Sequence, residues 1–284
     1  MKTLIARCLI AAGLAFGYQP QASAMQYTTE AWHQDEAEVV TPFLVSSFLY
    51  FAVPTSAWYM DQLGGATVDR ETFVRFAETV ASATYATLVY TYRRDGVQHS
   101  RIYFARSGSM APRNGLPGMR GSIESYFPAF DGVEVRSTIV PGERSRIRFT
   151  PIETDDRPDA RRNDAEYQAV RTIERDIISG AVAQGGTVVA YVSRPPCTSC
   201  AQAMRTFAEL YDINMHVNYL PGQGTAIHQR LRRGNWRYLD TVWAKVGSAR
   251  PRPGPTPPPD PSAPELPGLP AGAIAGSCSA IVSG

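Results

Sequence analysis

Gly185-Gly186-Thr187-Val188-Val189-Ala190-Tyr191-Val192-Ser193-Arg194-Pro195-Pro196-Cys197-Thr198-Ser199-Cys200 is the stretch on which the fold turns. The two glycines turn the chain. Thr187–Val192 is a continuous apolar run, the pattern of a strand buried on both faces. Pro195-Pro196 stops it. Cys197 then opens a helix that reaches Tyr211, with Met204, Phe207, Ala208 and Tyr211 on one side. Downstream, Ile213, Met215, Val217 and Tyr219 alternate with more polar residues, which predicts a half-buried strand. Upstream, residues 164–178 read as a helix with Ala165, Ala169, Val170, Ile173, Ile177 and Ile178 on one face. Residues 70–83 read as another. Between these helices, Ala86–Tyr92 and Val97–Phe104 flank Arg93-Arg94-Asp95-Gly96, and Asp-Gly between β-prone runs signals a hairpin. Residues 106–160, rich in Gly, Pro and Arg, fix no element. The order is hairpin, helix, strand, helix, strand, which predicts an α/β domain.

The termini are set apart from this domain. Lys2 and Arg7, the apolar run Cys8–Phe16 and Ala22-Ser23-Ala24 form the three parts of a secretory signal peptide, residues 1–24, with cleavage after Ala24. Export to a secreted or periplasmic location follows. The apolar run is shorter than the roughly 20 residues a spanning helix needs. Residues 25–64 form a leader region around the apolar run Phe43–Val53, bounded by Pro42 and Pro54. It suits a buried helix, or a membrane-active segment too short for a stable span. The domain proper covers residues 65–250. Residues 251–284 are Pro-rich and predict a disordered tail.

The chain has 284 residues, 44% of them hydrophobic, enough for a core. Its formal charge is +2, and removing Lys2 and Arg7 leaves 26 basic against 26 acidic residues. No global positive field points to nucleic acid. Of the four cysteines, Cys8 leaves with the signal peptide and Cys278 lies in the tail.

Cys197 and Cys200 sit at a helix N-terminus, where unpaired amides and the helix dipole favour thiolates. Such thiolates bind zinc or exchange disulfides. At the start of the preceding helix, Asp164-Ala165-Glu166 can place a ligand and a carboxylate near one metal, because the leading residue is not yet helical. Two helix N-termini flanking a buried strand could then join Asp164, Cys197 and Cys200, with water in the fourth position. Asn163-Asp164-Ala165-Glu166 is equally a capping pattern, with Asn163 as cap and Glu166 reaching back.

Taken together, Asp164-Ala165-Glu166 and Pro196-Cys197-Thr198-Ser199-Cys200 resemble the zinc-dependent, cytidine-deaminase-like superfamily, whose signature is His-x-Glu followed by Pro-Cys-x-x-Cys. The resemblance covers about residues 85–220 and departs from the signature at Asp164. It implies a three-layer mixed sheet with an N-terminal hairpin and helices carrying the zinc motifs. It implies Zn2+ held by Asp164, Cys197 and Cys200, and Glu166 as the catalytic acid/base moving protons between water, ring and leaving ammonia. Export and the loop-rich build are similar to the bacterial toxin deaminases. That branch implies a hydrolase acting on cytosine or adenine in nucleic acid or nucleotide, an antibacterial or host-directed toxin role, and an immunity protein as partner. With Asp164 in place of histidine, three negative charges face the metal's two, which should weaken it as a Lewis acid.

A periplasmic thioredoxin-like thiol-disulfide oxidoreductase is the alternative, since it too sets Cys-x-x-Cys after a strand. Against it, no tryptophan precedes Cys197. A secreted binding protein with a structural Cys197–Cys200 bridge is a third reading, weakened by the tiny loop such a bridge closes. His216, on the polar face of its strand, could contact substrate or stand in for Asp164. Residues 228–237, with arginines around Trp236, combine phosphate contact with base stacking, a composition shared by exposed amphipathic helix ends.

Overall fold

The computed structural model describes residues 26–32, 37–108, 123–127, 132–150, 158–222 and 225–248. The expected signal peptide, residues 1–24, and the expected Pro-rich tail, with Cys278, lie outside these residues. The elements run β1 (Tyr27–Ala31), α1 (Ala37–Leu63), α2 (Arg70–Ala81), β2 (Tyr85–Arg94), β3 (Val97–Arg106), β4 (Glu134–Arg136), α3 (Ala165–Ile178), β5 (Gly186–Val192), α4 (Thr198–Tyr211), β6 (Ile213–Tyr219) and α5 (Ala226–Ser248). Short 3-10 turns cover Glu124–Tyr126 and Pro158–Asn163.

The six strands make one mixed sheet in the order β1-β6-β5-β2-β3-β4. β1, β6 and β5 are mutually parallel, β2 is antiparallel to both β5 and β3, and β4 is parallel to β3. The β2–β3 hairpin turns at Asp95 (φ 52°) and Gly96 (φ 78°). Two consecutive positive φ values are what a tight two-residue hairpin needs, and Asp-Gly supplies them at low cost. β5 begins at Gly186 (φ +99°), where a Cβ would stand 2.2 Å from the Thr91 carbonyl oxygen of β2. Only glycine lets the two strands approach there.

Helices cover both faces. On one, α3 and α4 bury Ala86, Leu88 and Tyr90 of β2, Val188, Ala190 and Val192 of β5, and Ile213, Met215 and Val217 of β6. On the other, α1, α2 and α5 pack over Tyr85 and Phe104. Residues of α1 stack directly on the sheet and on α2: Phe43 on Tyr191 with ring centroids 4.2 Å apart, and Tyr59 on Phe76 at 3.9 Å. Thr87 Oγ1 donates to the Phe43 carbonyl, 2.9 Å away.

Of the leader region 25–64, the described residues 26–32 and 37–64 are built into the domain, the helix as the buried-helix reading expects and the strand before it unforeseen. Tyr27–Ala31 hydrogen-bonds along β6 in parallel register, Tyr27 opposite Met215. The following helix does not stop at its prolines but runs through both Pro42 and Pro54. Each proline removes one backbone donor, and burial of Val40, Leu44, Phe48, Phe51, Trp58 and Tyr59 holds the helix together around them. Val39–Leu63 is long and apolar enough to cross a membrane, yet half of that window is buried against the rest of the protein.

Candidate metal centre

β5 ends at Val192, the chain bends at Ser193 and Arg194, and Pro195-Pro196, which have no backbone donors, cannot continue the ladder. α4 starts immediately afterwards, with Cys197 as its N-cap (φ −66°, ψ 163°). The Cys200 backbone amide donates to Cys197 Sγ at 3.3 Å. α3 begins at the same end of the sheet, because its far end returns through Gly180 and Gly185 to the start of β5. Gln168 pins that beginning: its Nε2 donates to the carbonyls of Arg106, at the end of β3, and Asn163, both at 2.8 Å.

Asp164 is the N-cap of α3, in extended conformation (φ −70°, ψ 147°), and its side chain makes no capping hydrogen bond. Its Oδ2 accepts from both thiols, Cys200 Sγ at 3.4 Å and Cys197 Sγ at 3.5 Å. The ligand atoms of Asp164, Cys197 and Cys200 all lie within 4.8 Å of one another. A tetrahedral zinc with Zn–S near 2.3 Å and Zn–O near 2.0 Å requires sulfur–oxygen separations of about 3.5 Å. The donor set therefore fits a divalent metal in both atom type and spacing. The capping box drawn from Asn163 and Glu166 is not formed, because the cap position falls on Asp164 and Glu166 is turned into the interior.

Glu166 is buried, 3% exposed, in the first turn of α3. It stands outside the three-ligand group but within electrostatic range of Asp164 and Cys200. Burial pushes its carboxyl up to about 7, and the charge of Asp164 adds to the rise, while its own backbone amide, Arg161 and Arg194 oppose it. A carboxyl poised near neutrality can both accept and give a proton. The Cys200 thiol is also raised, by its hydrogen bond with Cys197 and by burial, then by the charges of Glu166 and Asp164. A bound cation would reverse that balance, since thiolate is the ligating form.

Three neighbours carry no motif and were not singled out from the sequence. Arg161, from the 3-10 turn before α3, sits 3.6 Å from Asp164 Oδ2. Arg194 follows β5 and donates to the Ser82 carbonyl. Tyr27 of β1 has a buried hydroxyl with no hydrogen-bond partner among the described residues, and its acidity falls (pKa up to about 12), chiefly by burial, against the opposing charge of Arg205 and with Glu166 and Cys200 adding. The only local signal for Arg161 was its place three residues before Asp164. His216 is not part of the centre. It lies on the opposite sheet face from Met215 and Val217, with Nδ1 2.8 Å from Thr28 Oγ1.

The sheet is thus an α/β scaffold whose two helix starts converge on a group able to hold a metal ion. No protein-family model, no curated protein and no solved structure matches the chain.

Proposed function

We propose that this chain is a zinc-dependent hydrolase that deaminates a nucleobase, cytosine or adenine, and that it acts as an exported toxin. The observation that carries the reading is the meeting of Asp164 Oδ2 with both cysteine sulfurs at 3.4 and 3.5 Å beside a buried Glu166. Zinc held by Asp164, Cys197 and Cys200 would supply Lewis-acid activation of water at neutral pH. Glu166 takes a proton from the attacking water as its oxygen bonds to the ring carbon bearing the amine. Glu166 then protonates the adjacent ring nitrogen. A second transfer through Glu166 moves the remaining hydroxyl proton to the amine, the carbon–nitrogen bond breaks, ammonia leaves and a carbonyl remains. Arg161 offsets the third negative charge of the ligand set, which the replacement of histidine by Asp164 would otherwise leave uncompensated.

The test combines metal analysis of freshly purified protein with deamination assays on DNA, RNA and free nucleosides, for wild type and Glu166→Ala. One zinc per chain is expected, with activity falling by about 100- to 10,000-fold in the variant. Equal activity in the two proteins sinks the mechanism. A metal-free protein with a redox-active Cys197–Cys200 disulfide would instead favour the thiol-disulfide oxidoreductase reading.

A further inference from the structure

We infer that α5 is a binding surface for single-stranded polynucleotide that leads to the metal centre; this deepens the deaminase reading, and rests on it for the identity of the target base. The helix lies outside the segment that resembles the deaminases. Four observations support it. First, a cleft of about 470 Å³ on α5 is lined by Gln229, Arg232, Arg233, Trp236, Arg237 and Asp240. Arg232, Arg233 and Arg237 are exposed. Second, Arg233 and Arg237 have no carboxylate in ion-pair range among the described residues, whereas Arg232 is paired with Glu78 at 2.7 Å. Third, Arg233 and Arg237 also line the adjoining groove together with Arg230, so the positive charge wraps around the helix. Fourth, α5 starts at the end of the sheet that holds the metal ligands: it follows β6, which runs parallel to β5, so its first turn lies at the same end as Arg194 and the start of α4. Arg194 is within electrostatic range of Arg232 on one side and of Glu166 and Asp164 on the other.

The chemistry of this path selects its ligand. Planar guanidinium forks match phosphate oxygens in two-point contact. Trp236, half-buried and held among them, offers a stacking face that any unpaired base can use. A paired base presents no such face, and its exocyclic amine is out of reach inside a duplex. His228 and Arg237 are separated by roughly 13 Å along the helix axis at 1.5 Å per residue. On this reading a short strand lies along α5 toward its first turn, at the end of the sheet where α3 and α4 begin.

An acidic protein or an anionic lipid surface would use the same charge, and the second would also use Val45, Leu49 and Val53, exposed on neighbouring α1. Neither accounts for a basic surface on a helix that starts at the end of the sheet holding the metal ligands.

The experiment measures binding of fluorescent dT12 and rU12 by anisotropy to the full chain purified with its metal. Thymine and uracil carry no exocyclic amine, so binding is read without turnover. Affinity should fall with salt at a log–log slope of about −0.7 per phosphate engaged. Arg233→Gln with Arg237→Gln should weaken binding at least tenfold and flatten the slope by about 1.4, with metal content and circular dichroism unchanged. Trp236→Ala should weaken binding with little change in slope. A preference for dT12 or rU12 supports the inference either way and identifies the sugar. Equal affinity for a charge-matched polyglutamate overturns it. So does binding to phosphatidylglycerol vesicles without oligonucleotide binding, or no response to the paired arginine variant. Oligonucleotide binding by a protein that fails the deamination assay keeps the surface and removes the deaminase.

Discussion

Arg161 holds its guanidinium 3.6 Å from Asp164 Oδ2, the same oxygen to which both cysteine thiols donate. The pair is partly shielded, with the two side chains 30% and 19% exposed. Its strength is on the order of 1 kcal/mol after solvent screening. Withdrawing charge from Asp164 makes the centre less electron-rich. Arg161→Gln should therefore keep the metal and move the acidic limb of the kcat/KM profile up by about half to one pH unit. An unmoved limb would show that Arg161 only orders the turn.

Asp164 separates ligand from cap. Asp164→His replaces a charged donor by a neutral one and should retain zinc and activity. Asp164→Ala should lower zinc affinity by on the order of 100-fold or more. Removing zinc from wild type with a chelator should lower the melting temperature by roughly 10 °C, as expected for loss of a tight ligand of the folded state. Loss of zinc from the histidine variant would contradict the ligand assignment.

His228 gives a pH signature away from the metal ligands. Burial lowers its pKa below the usual 6.5, and Arg194 and Arg232 lower it further. The unfolded chain then binds this proton more readily than the folded one. The contribution of neutral His228 is complete above 6.5 and is lost as pH falls from there through the lower folded value. The melting temperature of wild type should fall more steeply than that of His228→Gln between pH 7 and 5. Parallel curves would remove His228 from the account.

Gly186→Ala tests the close approach of β5 to β2. The new methyl would meet backbone atoms of Thr91 and Tyr92, which cannot rotate away, at a positive φ. The cost should be about 3 kcal/mol or more. Gly185→Ala, also at positive φ but with its nearest contact at 3.8 Å, should cost about 1–2 kcal/mol, conformational strain alone. Urea midpoints of the two variants check the difference.

The elements with local signatures were legible in the sequence. Asp95-Gly96 placed the hairpin, and the extended strands overran their expected ends by only a few residues. The helices carrying Asp164 and Cys197 fell where their periodicity put them, and the three proposed ligands do converge. What escaped depends on distant partners. Tyr27-Thr28-Thr29-Glu30-Ala31 has no alternation to mark it, because backbone bonds to β6 rather than a buried face fix it as an edge strand. β4 is only Glu134–Arg136 and exists through β3. α1 continues through Pro42 and Pro54 because burial outweighs two lost backbone bonds, a balance that no local pattern displays. Arg161 and Arg194 gain meaning only once two helix starts meet.

The pairing of β1 with β6 also governs the order of assembly. Tyr27 faces Met215, a partner made only after nearly the whole described chain. A chain that emerges from its N-terminus first holds this strand without a neighbour until β5, α4 and β6 have followed. Closing so long a loop is entropically slow. The last edge to close is then joined by the strand made first, and Tyr27 takes its place near Glu166 only at that moment. The surroundings of Asp164, Cys197 and Cys200 are thus completed only at the end of folding, and a half-made chain lacks the edge strand that brings Tyr27 to them.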